Sequence, residues 1–152
     1  MSSSTPATTT RLISSPRATA DTHNWIYWGP SSPNSIVGVG NFGDAIDDVV
    51  GATVCNSDGH ANQFACGQIE STNVNADYGN GIVIANSRMS TAYDEPGDSG
   101  SGVVGLTSDS TKNIAVGIVN GRSNDSSGNF THCVYSHIGC VLPDFGLTVL
   151  TS

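Results

Sequence analysis

The apolar positions of this chain fall in short runs, separated by turn residues, and no long helical stripe is present. Trp25-Ile26-Tyr27-Trp28 is an aromatic run of strand character. A Pro/Ser/Asn loop over 29–35 follows, then a short apolar stretch from Ile36 to Val39. Asp47 to Cys55 enters a strand, Asn56 to Gln63 holds turn residues including Asp58-Gly59, and Phe64 to Val74 returns with apolar and polar residues alternating. That pattern predicts a hairpin. After the turn Tyr78-Gly79-Asn80-Gly81, Ile82 to Ala85 reads as a buried strand. Further strands are predicted over Val103 to Leu106, over Asn113 to Asn120 with Ile114, Val116 and Ile118 alternating, and over Phe130 to Ile138. A polar loop is expected over Gly121 to Gly128, and a short turn or helix over Cys140 to Phe145, ended by Gly146. Roughly seven short strands punctuated by turns predict a small barrel or sandwich. Met1 to Ala20 is rich in Ser and Thr and too poor in large apolar residues to offset its ordering entropy, so it is expected to be disordered.

Composition sharpens this picture. The chain has 152 residues, one domain's length, with 18 glycines and only 12% charged residues. A net charge of -8 with five Lys and Arg argues against nucleic acid and anionic membrane surfaces as partners. No apolar run is long enough to span a bilayer as a helix. Nothing near Met1 has the apolar core of a secretory signal, so an exported protein would need a leader that this chain lacks. The Arg- and Ser-containing start also admits a transit-peptide reading.

The four cysteines, Cys55, Cys66, Cys133 and Cys140, suggest two disulfides and an oxidising, extracellular compartment. They allow three connectivities, of which sequence proximity favours Cys55–Cys66 with Cys133–Cys140. Cys-x-x-Cys and His-x-x-x-His spacings are missing, so no metal is expected, and no cofactor motif is present. Asn124-Asp125-Ser126 and Asn129-Phe130-Thr131 fit the glycosylation acceptor pattern.

The stretch with the most chemistry is Asp94-Glu95-Pro96-Gly97-Asp98-Ser99-Gly100-Ser101-Gly102. Glycines at 97, 100 and 102 permit tight turns with positive φ. Such turns can project the Ser99 hydroxyl and aim successive backbone N–H groups at one spot. A serine nucleophile needs both: an exposed Oγ, and donors for the oxyanion formed when it attacks a carbonyl. A plain Gly/Ser turn ahead of a strand is the simpler alternative.

With the segments Val50 to Cys55, Phe64 to Ile69, Val74 to Gly79, Glu95 to Gly100, Ile114 to Ile118 and Tyr135 to Leu147 in this order, residues 47–152 resemble the C-terminal barrel of a chymotrypsin-like serine protease of the bacterial streptogrisin and α-lytic protease branch. The resemblance implies an all-β, trypsin-like antiparallel β-barrel, the C-terminal half of a two-barrel fold, with a short terminal helix. It implies that residues 21–46 are a remnant of the N-terminal barrel and linker. It makes Ser99 the nucleophile, the N–H groups of Gly97 and Ser99 the oxyanion hole, and Asp98 the buried acid that fixes the loop, with Arg88 as a candidate partner. Asn120, Gly121 and Arg122 fall where the family binds substrate backbone and lines its specificity pocket, and Cys55–Cys66 is the family's hairpin disulfide.

The departures matter equally. Ser101 replaces a family glycine. Tyr93 and Asp125 stand where the bacterial branch carries a second disulfide, and this puts Tyr93 near the pocket base. Large side chains at Tyr93 and Arg122 narrow the pocket, so substrate preference cannot be carried over. Cys133 and Cys140 have no family counterpart. The family's general-base histidine sits in an Ala-Gly-His-Cys-like motif, and none occurs here; His23, His60, His132 and His137 all lie in other contexts. Asp21 is a candidate for the orienting aspartate.

Two functions follow as expectations. One is a serine endopeptidase, as a fragment or truncated homologue whose histidine lies outside this chain, acting on peptide or protein substrates. The other is a non-catalytic barrel serving as a binding or structural module. A lone barrel is expected to self-associate, or to pair with the missing N-terminal barrel, through the apolar face that barrel normally covers.

Overall fold

The structure, a computed structural model, describes residues 25–26, 34–57 and 64–151. The expectations for the 1–20 segment, Asp21, His23 and His60 lie outside these residues.

The described chain forms β1 (Trp25–Ile26), β2 (Asn34–Val39), β3 (Thr53–Ser57), β4 (Phe64–Asp77), β5 (Val83–Ser90), β6 (Gly102–Leu106), β7 (Lys112–Asn124), β8 (Phe130–His137) and α1 (Ile138–Phe145). Strand β7 pairs with both β6 and β8, so β3-β4-β5-β8-β7-β6 closes into a ring of antiparallel neighbours. The all-β barrel and the short terminal helix are therefore observed. Closure leaves no free edge within the ring. Outside it, β2 runs parallel to β7, and β1 pairs antiparallel with β2.

Where β2 lies against it, the barrel wall is covered on both faces. Inside, Val54, Ile69, Val103, Val116, Val119, Cys133 and Tyr135 form the core. Outside, Ile36 of β2 packs with Cys55 and Val104. This explains why Val54 and Cys55 are both fully buried although neighbours on a strand point to opposite faces.

The β3–β4 hairpin forms with Cys55 opposite Cys66, and the two are joined by a disulfide. Gly67 next to it meets the chain at close range: a Cβ there would lie 2.1 Å from the backbone N of Ala92. Only glycine lets the segment before the Ser99 turn cross β4 so closely.

Four expectations need correction. Ile82 to Ala85 is not a buried strand: β5 begins at Val83, and Ile82 and Val83 are 58% and 54% exposed. The stretch from Asp47 does not enter a strand until Thr53; it is a chain of turns in which Asp48 N–H donates to the Asp44 carbonyl and Ala52 N–H to that of Val49. Gly121 to Asn124 is not loop but the continuation of β7, paired with Val134 to Phe130. Its turn is held by Asp125, whose carboxylate accepts from the backbone N–H of Ser127 and of Asn129. Finally, Cys133 and Cys140 are not bonded to each other. Cys133 points from β8 into the core, whereas Cys140 lies on α1 within 3.5 Å of Asn86 Nδ2. Burial, with the charges of Asp94 and Asp98, pushes the Cys133 thiol up to about 12, which makes it an inert packing residue.

The helix begins where His137 Nδ1 accepts from Gly139 N–H, and it ends at Gly146, in the left-handed region at φ 62°.

Candidate active site

The Ser99 segment is built from two tight turns that share Asp98. In the first, Asp98 N–H donates to the Glu95 carbonyl (3.1 Å), with Pro96 and Gly97 at the centre and Gly97 at φ 111°. In the second, Ser101 N–H donates to the Asp98 carbonyl (2.9 Å), with Ser99 and Gly100 at the centre and Gly100 at φ 94°. Glycine with positive φ at the third position is what a type II turn demands, and Pro at the second position favours it.

The Asp98 carboxylate fixes the first turn, and its backbone carbonyl closes the second. Asp98 is 2% exposed, and its Oδ2 accepts from Glu95 N–H at 2.7 Å. The expected partner was Arg88, and this is corrected: the Arg88 guanidinium is occupied by Asp48, with Nε to Oδ1 at 2.7 Å and Nη2 to Oδ2 at 2.8 Å. The turn is bolted to the barrel by two further bonds, Gly100 N–H to the Val119 carbonyl and Val119 N–H to that of Ser101.

Ser99 itself is exposed. Among the described residues, no hydrogen bond engages its hydroxyl, its N–H or the N–H of Gly97. A held loop with an exposed hydroxyl and two unspent amide donors is the equipment an acyl-transfer site requires.

The residues assigned to substrate binding divide into two groups. Tyr93 and Arg122 meet around Phe130: the Tyr93 ring lies edge-on to it at 5.2 Å, and the Arg122 guanidinium lies over it at 5.8 Å. Arg122 also donates to the Asp94 carbonyl (3.3 Å) and to Asn124 Oδ1 (2.9 Å), and Tyr93 OH to Glu95 (3.2 Å). Asn120 and Gly121 belong with Tyr78. Asn120 accepts from Tyr78 OH and donates to Ser87 Oγ and Ser136 Oγ. The Tyr78 ring occupies the space a side chain at Gly121 would need. Sequence reasoning missed Phe130 and Tyr78. The signal for Phe130 was a lone large aromatic directly after the polar run Ser126 to Asn129.

The described histidines are committed elsewhere. His132 Nε2 is 2.6 Å from Glu70 Oε2. His137 is fully buried, caps α1, and stacks on Phe42 at 4.6 Å. Burial holds its imidazole below the usual range, partly opposed by Asp48. Neither is placed as a base for Ser99. Among the described residues, no group of His, Cys, Asp and Glu could hold a metal ion, and no helix is long and apolar enough to cross a membrane.

Comparison with solved structures places this fold among the bacterial chymotrypsin-like serine proteases. A glutamic acid specific serine protease, described as using a novel histidine triad in substrate binding, matches with a TM-score of 0.68 and 23% identity over 88% of this chain. Thermobifida fusca Protease A matches with a TM-score of 0.66 and 26% identity over 85% of the chain, and a Cellulomonas bogoriensis chymotrypsin with 0.61 and 24% over 80%. The chain spans 64%, 61% and 58% of these proteins' lengths respectively. No protein-family model matches the sequence, and no curated protein matches it either.

Proposed function

We propose that this chain carries the nucleophile half of a serine-type endopeptidase. The observation that carries the reading is the Ser99 turn, with its exposed hydroxyl, buried Asp98 and unspent Gly97 and Ser99 N–H groups. In the proposed reaction Ser99 Oγ attacks a peptide carbonyl, and the two amides stabilise the oxyanion. A histidine supplied from outside this chain, by an N-terminal barrel, takes the Ser99 proton and returns it to the leaving amine. Water then releases the acyl group by the same route. Asp21 remains the proposed orienting acid. The Cys55–Cys66 disulfide and the neighbours' fold support an extracellular setting. The exposed Phe42, Ile46 and Val50 support a partner surface, filled by an N-terminal barrel or a second copy.

The glutamic acid specific neighbour is described as binding substrate through histidines. Of the two described histidines here, His132 is held by Glu70 and His137 is buried, so neither is offered to substrate.

The test is hydrolysis of a mixed peptide pool by the chain joined to an N-terminal barrel that carries the histidine, followed by mass spectrometry. Cleavage that Ser99→Ala reduces to background supports the proposal. A folded joined protein that cleaves nothing favours the second reading, a protease-like barrel that binds without catalysis. The commitment of both described histidines to other contacts is what speaks for that reading.

A further inference from the structure

We infer that Arg122 recognises an acidic side chain on the peptide docked beside Ser99. This rests on the proposed reading of Ser99 as a peptide-cleaving nucleophile. Three Lys and Arg side chains lie among the described residues: Arg88 is paired with Asp48, Lys112 lies 3.4 Å from Asp109, and Arg122 has no carboxylate partner. An unpaired guanidinium stands out in a chain of net charge -8.

Its position is fixed by neutral contacts. Nε donates to Asn124, Nη1 donates to the Asp94 carbonyl, and the Phe130 face lies beneath. A guanidinium has five N–H donors, so after these two bonds three remain for a ligand. A pinned, half-exposed guanidinium loses little entropy when it takes a carboxylate as a fork. It also stands close to the proposed chemistry. Arg122 lies three residues along β7 from Val119, whose carbonyl holds Gly100, about 10 Å of strand. Asp94, to which it is tied, lies on the approach to the same turn.

Among the described residues, Arg122 is also the only cation lining a cavity of about 240 Å³ between the end of β4, β5, β7 and β8. Val74, Met89 and Val134 supply its apolar wall. The other charged lining group, Asp77, is turned to the N–H of Gly79. An acidic side chain whose methylenes rest on that wall and whose carboxylate meets Arg122 fits both features, and a glutamate has the reach. Nearby Glu95 opposes a second acid, so the preference depends on direct bidentate contact rather than on long-range field.

The experiment measures fluorescence anisotropy of labelled Ala/Ser octapeptides carrying one central Glu, Gln or Lys. They are titrated with the Ser99→Ala chain, which cannot cleave them, and with the same chain bearing Arg122→Gln or Arg122→Lys. The Glu peptide is expected to bind at least tenfold tighter than the Gln peptide. Arg122→Gln is expected to erase that ratio and Arg122→Lys to keep part of it. Equal affinity for Glu and Gln peptides, no binding of the Glu peptide, or a preference that survives Arg122→Gln overturns the inference. Failure of the endopeptidase reading is scored separately, by the Ser99-dependent cleavage assay on the joined protein.

Discussion

Replacing Arg88 with Met is expected to destabilise the fold by about 3–5 kcal/mol, the cost of stranding a buried carboxylate. Arg88 and Asp48 are 4% and 3% exposed, and they meet through two parallel bonds. The pair joins three parts of the molecule. Arg88 belongs to β5 and also bonds the Asn86 carbonyl and side chain; Asp48 belongs to the turns before β3 and accepts from Gly43 N–H. Phe42 lies 5.3 Å from the guanidinium and stacks on His137, which caps α1. Burial alone would raise the Asp48 carboxyl, but bonds from Arg88 and Gly43 and nearby positive charge outweigh it and hold it below the ordinary value. Its stabilising contribution is therefore present above the unfolded value of 3.8 and is lost as pH falls through the lower folded one. Urea unfolding at pH 7 measures the effect as a lower midpoint with unchanged slope. A loss under about 1 kcal/mol would show the pair to be dispensable. The double change Arg88→Met with Asp48→Leu is expected to recover part of the loss, because it removes both charges together.

Asp47→Asn is expected to act in the opposite direction and stabilise the protein at neutral pH by about 2 kcal/mol. Asp47 is 1% exposed, sits against Gly40 and Gly105, and neither carboxylate oxygen has a hydrogen-bond partner among the described residues. Burial, then the charges of Asp44 and Asp48, raise its pKa from 3.8 to about 6. The native state thus holds a proton that the unfolded chain has released. Stability on this account is full below pH 3.8, declines as pH rises towards 6, and stays reduced above that. Asparagine has the same shape without the charge, so the variant should lack this decline. Thermal or urea melts of both proteins between pH 4 and pH 8 provide the comparison. Parallel stability curves would mean that Asp47 is ionised without penalty.

These two aspartates also mark where the sequence was least legible. Adjacent acids in a turn-rich stretch read as solvated surface, since a buried charge is rare and its partner, Arg88, lies 40 residues away. The barrel was legible because turn residues separate its strands, and because Ile114, Val116 and Ile118 keep the period that a half-buried strand imposes. The end of β7 was not: Gly121 to Asn124 is polar because it is half-exposed, and only pairing with β8 makes it a strand. Cys133 and Cys140 are near in sequence, but strand and helix geometry send one into the core and the other to the side of Asn86. In the candidate site, Gly97 and Gly100 foretold both turns, whereas Gly102 begins β6 instead of a third. Which acid Arg88 would choose depended on three-dimensional packing.

The central claim, that Ser99 is a nucleophile held beside an oxyanion hole, is tested most directly by joining the oxidised wild-type chain to an N-terminal barrel that carries the histidine, reacting the joined protein with a fluorophosphonate probe and locating the adduct by mass spectrometry. The account predicts one adduct per chain, on Ser99, and none in Ser99→Ala. A folded joined protein that stays unlabelled, or is labelled at another residue, would contradict it.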